Sequence, residues 1–399
     1  MKKTALILGA TGTAGRTLTQ TLAESDEWHV IAVSRRITQD TTLNSNITPL
    51  AIDLLQGDDV IEKLRHHPIT HVFYAAYIPE AGNRQTLAYS SLRERRKVKI
   101  TSRLLKFLPF LYPLIYQTVA KIAGAADTQQ KNYQIFNNVL QAVTQPPHQL
   151  QHVVLVTGAK YYGMHLTPYF YPGWSIPMRE TDPRAPGPNF YFEQEDMLEA
   201  YANQYGFSWN VVRPSFIIGF ANHSQNNLLT TLAVYISLLK AQQMPLIFPG
   251  DLAAADCLHT ITDARLLADF MEWTTQTPAA QNQAFNVVNK EPFRWRDLWH
   301  DLAEYFGMQP EFPQKGFPAA QFMLKHTALW QKIAIEHDLR YQNLTNLTQP
   351  NFLIETFIQD YDVVISMDKA TKAGFNADRD PLEAIIKHFD DMRVQRIIP

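Results

Sequence analysis

Tyr191 and Lys160 are the side chains best suited to chemistry. The tyrosine stands in Asn189-Phe190-Tyr191-Phe192-Glu193-Gln194-Glu195-Asp196, and the lysine in Thr157-Gly158-Ala159-Lys160-Tyr161-Tyr162-Gly163. A phenol can hydrogen-bond an oxygen that is gaining negative charge, and a neighbouring ammonium lowers its pKa. A lysine four residues after a helical tyrosine would share its face, but position 195 is Glu. The ammonium must therefore come from elsewhere in the chain. Lys160, just past an apolar run, can reach the same site from a strand end. Taken singly, the two residues read as a buried tyrosine and a surface lysine.

Thr4-Ala5-Leu6-Ile7-Leu8 reads as a buried strand, followed by Gly9-Ala10-Thr11-Gly12-Thr13-Ala14-Gly15 and an amphipathic helix, Arg16 to Glu24. Strand, glycine loop and helix in this order form a dinucleotide fingerprint, in which a pyrophosphate meets exposed N–H groups at the helix N-terminus. A second strand, Trp28 to Val33, ends in Ser34-Arg35-Arg36. About 20 residues beyond the last glycine, an acid would accept the 2′-hydroxyl of NAD. Two arginines stand here instead, with donors suited to a 2′-phosphate, which points to NADPH. A dinucleotide implies hydride transfer, with Tyr191 at the substrate oxygen and Lys160 also holding the nicotinamide ribose.

Further strands are expected at Ile47 to Ile52, His71 to Ala76, Gln151 to Gly158, Trp209 to Pro214 and Ala284 to Val288. Asp53 would face the adenine, and the small residues Ala75 and Ala76 let a dinucleotide pass. Helical patterns at Asn132 to Val143 and Glu193 to Tyr205 lie between strands. Alternation of this kind predicts an α/β doubly wound parallel sheet of the Rossmann type. Residues 1–220 form the expected cofactor-binding core. Residues 221–399 form a smaller, mainly helical substrate region, with Leu228 to Ala241, Arg296 to Phe306 and Phe317 to Ala334 as helices and 284–288 returning to the sheet. Between about residues 79 and 128 the chain is longer than one connection needs. There a basic stretch, Arg93 to Ile100, adjoins the aromatic, apolar run Leu104 to Tyr116. This pattern suits a peripheral membrane contact through 93–116, a lid, or a contact within a homodimer; the run is too short and proline-broken to span a bilayer.

The net charge of −2 gives no general attraction to nucleic acid. The single cysteine, Cys257, excludes an internal disulfide and a cysteine-only metal cluster, and no metal is expected. The start lacks the length and cleavage site of a secretory signal. A cytoplasmic location, at most peripheral at the inner membrane face, is the expectation.

The blocks quoted above, with Val33-Ser34-Arg35-Arg36, Arg213-Pro214-Ser215-Phe216-Ile217-Ile218-Gly219-Phe220, Phe248-Pro249-Gly250, Ala255-Asp256-Cys257, and Ala284-Phe285-Asn286-Val287-Val288-Asn289 with Trp295 and Trp299, run in order over nearly the whole chain. Together they resemble the progesterone 5β-reductase/iridoid synthase family, atypical short-chain dehydrogenase/reductases that reduce enones. The resemblance implies NADPH-dependent 1,4-reduction of an α,β-unsaturated carbonyl compound, with Tyr191 and Lys160 as the catalytic pair. It carries cofactor contacts onto Thr11, Gly12, Thr13 and Ala14 at the phosphates, between Gly9 and Gly15. Arg35 and Arg36 fall at the 2′-phosphate, beside Ser34, and Asp53 at the adenine, beside Leu54. Ala75, Ala76, Thr157, Ile217 and Ser224 complete the set. The second tyrosine of the family's usual pair is Phe192 here. The long 79–128 segment, Phe216 at an often polar position, and Met164-His165-Leu166-Thr167-Pro168 depart from the plant members and follow a microbial pattern. The alternatives on the same fold are a carbonyl reductase or epimerase, disfavoured by Glu195, and an NADPH-sensing regulator, which would not need both Tyr191 and Lys160.

Overall fold

A computed structural model describes residues 2–36, 45–79, 125–164, 174–221 and 227–399. Its main sheet contains seven strands: β1 Lys3–Leu8, β2 Trp28–Ser34, β3 Ile47–Ala51, β4 His71–Tyr74, β5 His152–Val156, β6 Ser208–Pro214 and β7 Gln283–Val287. The order is β7-β6-β5-β4-β1-β2-β3, and every pair is parallel. Strands that carry helices on both faces must be apolar throughout. Accordingly Ala5 to Leu8, Val30 to Val33, Val72 to Tyr74 and Val153 to Leu155 are all buried. β1 has β2 on one side and β4 on the other. This reversal of strand order is where an open α/β sheet leaves a crevice at the strand C-termini.

The helices that flank this sheet include α1 Thr13–Glu24, α2 Gly57–Leu64, α3 Ala125–Val143 and α4 Phe190–Tyr205. α1 buries Leu18 and Leu22 on one stripe, with small Ala14, Gly15 and Ala23 beside them. α3 begins at Ala125, before the start expected at Asn132, which the pattern placed late because the first turns carry no apolar periodicity. The segment 93–116 lies outside the described residues, as does most of the 79–128 stretch. Among the described residues no helix is long and apolar enough to cross a membrane.

Two compact units make up the chain. The first comprises Met1–Ser215, Leu267–Val287 and Ile365–Asn376; the second comprises Phe216–Leu266, Val288–Val364 and Ala377–Pro399. The second unit is mainly helical, built around α5, Leu228–Ala241, whose residues from Leu228 to Ile236 are all buried. A helix apolar on every side belongs at a core. Phe248, Trp295, Trp299 and Phe357 pack ring to ring in that unit, with centroids 4.6 to 5.6 Å apart. Gly250 is required beside them, since a Cβ there would strike the Phe357 carbonyl oxygen. The helix expected over Phe317 to Ala334 is two helices, Ala319–Lys325 and Thr327–Glu336. They break at His326, whose Nδ1 bonds the Phe322 carbonyl and whose ring stacks on Phe322.

Candidate active site

The cofactor end is built by the junction of β1 and α1. Gly9 takes φ +84°, and a Cβ on it would stand 2.8 Å from the Ala75 carbonyl oxygen. The N–H groups of Gly9 and Ala10 both donate to the Val33 carbonyl, at 3.2 and 3.1 Å. A Cβ at Gly15 would collide with the Gly9 carbonyl, so the helix can start this close to the strand only with glycine there. Gly12 caps α1 without a side-chain hydrogen bond, and a Cβ there would meet nothing nearer than 3.4 Å. Gly9 and Gly15 thus serve the fold, while Gly12 leaves the helix N-terminus bare. Thr11, Thr13 and Ala14 stand around it. A glycine-capped helix start with no side-chain cap hydrogen bond fits a pyrophosphate.

The neighbouring strand ends carry the next predicted residues. Ser34 closes β2 and donates through Oγ to the Arg36 carbonyl; Arg35 and Arg36 are both exposed. The Ile52 N–H donates to the Ser34 carbonyl at 3.0 Å, which brings Asp53 and Leu54 beside that turn. The Asp53 carboxylate accepts from the Leu55 N–H, and the Leu54 carbonyl accepts from buried Asn138. Ala75 and Ala76 follow β4, with the Ala75 N–H on the Leu8 carbonyl. These groups line adjacent strand C-termini of one unit.

Tyr191 and the Lys160 turn both lie just past the C-terminal end of β5. After β5, Thr157 is buried and its N–H donates to the Val212 carbonyl at 2.8 Å. Lys160 sits in a short 3₁₀ turn, Ala159–Tyr162, an element with no signal in the sequence. Tyr191 lies in the first turn of α4. Asn189 caps this helix, its Oδ1 accepting from the Tyr191 N–H at 3.0 Å and its Nδ2 donating to the Lys160 carbonyl at 3.0 Å. One asparagine therefore joins the two candidate residues through their backbones. A Cβ on Gly158 would lie 3.8 Å from the Tyr191 hydroxyl, so the phenol stands over the end of β5. Ile217 belongs to the second unit, on a strand Phe216–Ile218 paired with Ile261–Asp263. Ser224 lies outside the described residues.

Residues that sequence reasoning did not place in the site surround this pair. Gln194 (1% exposed) donates to the Asn132 carbonyl, and Asn132 in turn clamps both backbone groups of Ile78, just past β4. Glu195 is buried against Arg213 of β6. Burial pushes the Glu195 carboxyl up, and the Arg213 charge opposes that shift. Burial also works against the charge on Arg213, but Glu195 and Tyr162 more than offset it, and the guanidinium stays charged. A cleft of about 790 Å³ on the first unit opens onto Glu195 and Arg213 beside Trp209 and Lys369; neither Tyr191 nor Lys160 lines it. Among the described residues no group of three His, Cys, Asp or Glu could hold a metal ion.

The strand order and the glycine-flanked helix start define a dinucleotide-binding Rossmann fold. Residues 111–399 match the family described as PRISE-like Rossmann-fold domain, and residues 5–111 match the NAD dependent epimerase/dehydratase family. The chain belongs to the PRISE-like Rossmann-fold family. It is 29% identical to the (S)-8-oxocitronellyl enol synthase of Camptotheca acuminata, over 99% of this chain and 93% of the relative. It is 28% identical to the 3-oxo-Δ(4,5)-steroid 5β-reductase of Arabidopsis thaliana, again over 99% and 93%. Among solved structures, UDP-glucose 4-epimerase of Thermotoga maritima has a TM-score of 0.62 at 14% identity, covering 98% of this chain and 99% of that one. UDP-glucuronic acid 4-epimerase of Bacillus cereus, in complex with NAD, has a TM-score of 0.60 at 13% identity, with the same coverage. At such identities the epimerases share the fold alone.

Proposed function

We propose that the chain is an NADPH-dependent reductase of the C=C bond of α,β-unsaturated carbonyl compounds. The observation that carries this reading is the Asn189 clamp: it ties the Lys160 turn to Tyr191, while the position four residues beyond Tyr191 is Glu195, committed to Arg213. The relatives named as an enol synthase and a steroid 5β-reductase, matched over almost their whole length, support the same chemistry.

The ligand of the glycine loop is a nicotinamide dinucleotide, held at its phosphates by the backbone from Thr11 to Ala14. NADPH is preferred, because β2 ends in Ser34-Arg35-Arg36, where two arginines offer forked donors to a 2′-phosphate in place of an acid that would accept a ribose hydroxyl. When bound, the reduced nicotinamide supplies a hydride to the enone β-carbon. Negative charge then develops on the carbonyl oxygen, and Tyr191 hydrogen-bonds that oxygen. Lys160 favours charge on the phenol and orients it. A pre-placed donor lowers the barrier because it needs no rearrangement as the enolate forms. A small-molecule enone is thus the substrate class.

A carbonyl reductase or epimerase on this fold is the second reading; the exclusion of a helix lysine by Glu195 weighs against it. The test is NADPH oxidation across a panel of small enones, cyclohexenone included, beside simple ketones. Enone-dependent oxidation is expected; oxidation with ketones and none with enones would sink the proposal. Tyr191→Phe should cut turnover by about 10²–10³-fold and leave the NADPH dissociation constant nearly unchanged. Loss of NADPH binding in that variant would contradict the assigned role.

A further inference from the structure

Glu195 stands one helical turn past Tyr191 on the same face of α4 and is 5% exposed. Arg213, 3% exposed, forks onto it: Nη2 donates to Oε2 at 2.8 Å and Nε to Oε1 at 3.2 Å. The Thr157 hydroxyl approaches the same carboxylate at 3.5 Å. Arg184 comes within 4.0 Å of Glu195, but its own fork is spent on Asp196.

The other face of the Arg213 guanidinium is equally committed. Its carbon lies 3.3 Å from the centroid of the Tyr161 ring, and Nη1 reaches the Tyr162 hydroxyl at 3.3 Å. Tyr162 in turn donates to Asn286 Oδ1 of β7 at 2.6 Å, and Asn286 is held by Glu180 and the Met178 and Ser366 carbonyls. Tyr161 and Tyr162 are the two residues immediately after Lys160. A single planar cation therefore grips the Tyr191 helix and the Lys160 turn together, in addition to the Asn189 clamp.

A buried ion pair is a poor device for stability alone, because desolvation consumes most of its attraction and apolar residues of the same volume would serve as well. What a fork and a stacked plane add is direction. Resting on the reading of Tyr191 and Lys160 as the catalytic pair, we propose that Glu195 and Arg213 are positioning residues for it. Arg213 fixes α4 through Glu195 and the 3₁₀ turn through Tyr161 and Tyr162, so that phenol and ammonium keep their relative placement during turnover.

Arg213→Lys tests this, since it keeps the charge and removes the fork and the stacked plane. It should lower kcat at least about 10-fold, as small misplacements of reacting groups do, while the enone KM and the NADPH dissociation constant stay within about two-fold. Repeated in Tyr191→Phe, the same substitution should cost less than about two-fold, because its effect passes through Tyr191. An equal loss in both backgrounds, or weakened NADPH binding, overturns the proposal. If Arg213→Lys does not fold, Glu195→Gln, which keeps the shape of the partner, is put through the same cycle. A readout independent of turnover is 3-fluorotyrosine at position 191. Its ¹⁹F resonance should move or broaden in Arg213→Lys, and an unchanged resonance refutes the positioning role. Wild-type enzyme without enone turnover would instead fail the functional reading, with the ¹⁹F comparison still deciding this one.

Discussion

Acid should loosen the sheet from its N-terminal edge. His71 opens β4 and His152 opens β5, and the parallel register sets them side by side with ring centroids 6.4 Å apart. Trp28 stands edge-on to His71, centroids 4.9 Å apart. The two histidines are 3% and 2% exposed. Burial, helped by the charges of His152 and Lys3, brings the His71 pKa down to about 3, and burial brings His152 to about 4. Both are bases whose folded pKa lies below the ordinary value of 6.5. The unfolded chain therefore takes up protons first, so stability is complete above pH 6.5 and falls as the pH drops towards the folded values. Each neutral histidine contributes a slope of about 1.4 kcal/mol per pH unit in that window, which amounts by pH 5 to about 2 kcal/mol each and about 4 kcal/mol together. Against a usual total of about 5–15 kcal/mol this is a large share. Urea unfolding followed by circular dichroism at pH 7.5, 6.5, 5.5 and 5.0 measures it. The wild type should lose stability steeply below pH 6.5, and His71→Gln with His152→Gln should lose most of that slope. A wild-type stability that is flat to pH 5, or an equal slope in the double variant, would refute the reasoning.

Other expectations follow from single sites. Arg35→Ala with Arg36→Ala should narrow the preference for NADPH over NADH at least about 10-fold, each charge-assisted contact being worth about 1.5–3 kcal/mol; an unchanged ratio of dissociation constants removes both from the cofactor site. Gly15→Ala should cost about 1–3 kcal/mol of stability through overpacking against the Gly9 carbonyl, read as a lowered Tm. Gly12→Ala, whose Cβ would make only an ordinary 3.4 Å contact with the Gly9 carbonyl oxygen, should fold normally and weaken NADPH binding alone; a lowered Tm in Gly12→Ala would contradict that division. Burial by itself would raise the Asp263 carboxyl, but hydrogen bonds from His388 and Arg265 more than offset it and hold it down at about 2. This contribution is present above the ordinary carboxyl range and lost only as the pH falls through the folded value, so Asp263→Asn should cost about 3–5 kcal/mol at pH 7, measured by denaturant unfolding.

Most of the sheet was legible in the sequence because a strand buried on both faces has to be apolar along its length, as β1, β2, β4 and β5 are; β3, with no buried residue, was legible only from its place in the alternation. The glycine loop was legible for a related reason: Gly9 and Gly15 sit where backbone approaches backbone, and no other residue fits. Local pattern failed where long-range contacts decide. Nothing in the periodicity of Phe317 to Ala334 announces a break, since His326 ends the first helix by bonding back to Phe322. The same limit applies at the site. In the sequence, Glu at position 195 marks only the missing helix lysine, a purely negative sign. What the glutamate does instead depends on Arg213, 18 residues on and on a strand whose register beside β5 is set by pairs such as Val153 with Trp209. Glu195 presents a carboxylate to the buried Arg213 guanidinium of β6. A lysine there would face the Arg213 guanidinium, and on the proposed reading the ammonium is that of Lys160, past the strand end, where the guanidinium that holds Glu195 also holds Tyr161 and Tyr162. The departure from the usual tyrosine–lysine spacing and the buried ion pair thus meet in one residue: the glutamate that stands in place of a helix lysine is the one Arg213 holds, and on the proposed reading Arg213 thereby joins the Tyr191 helix to the Lys160 turn.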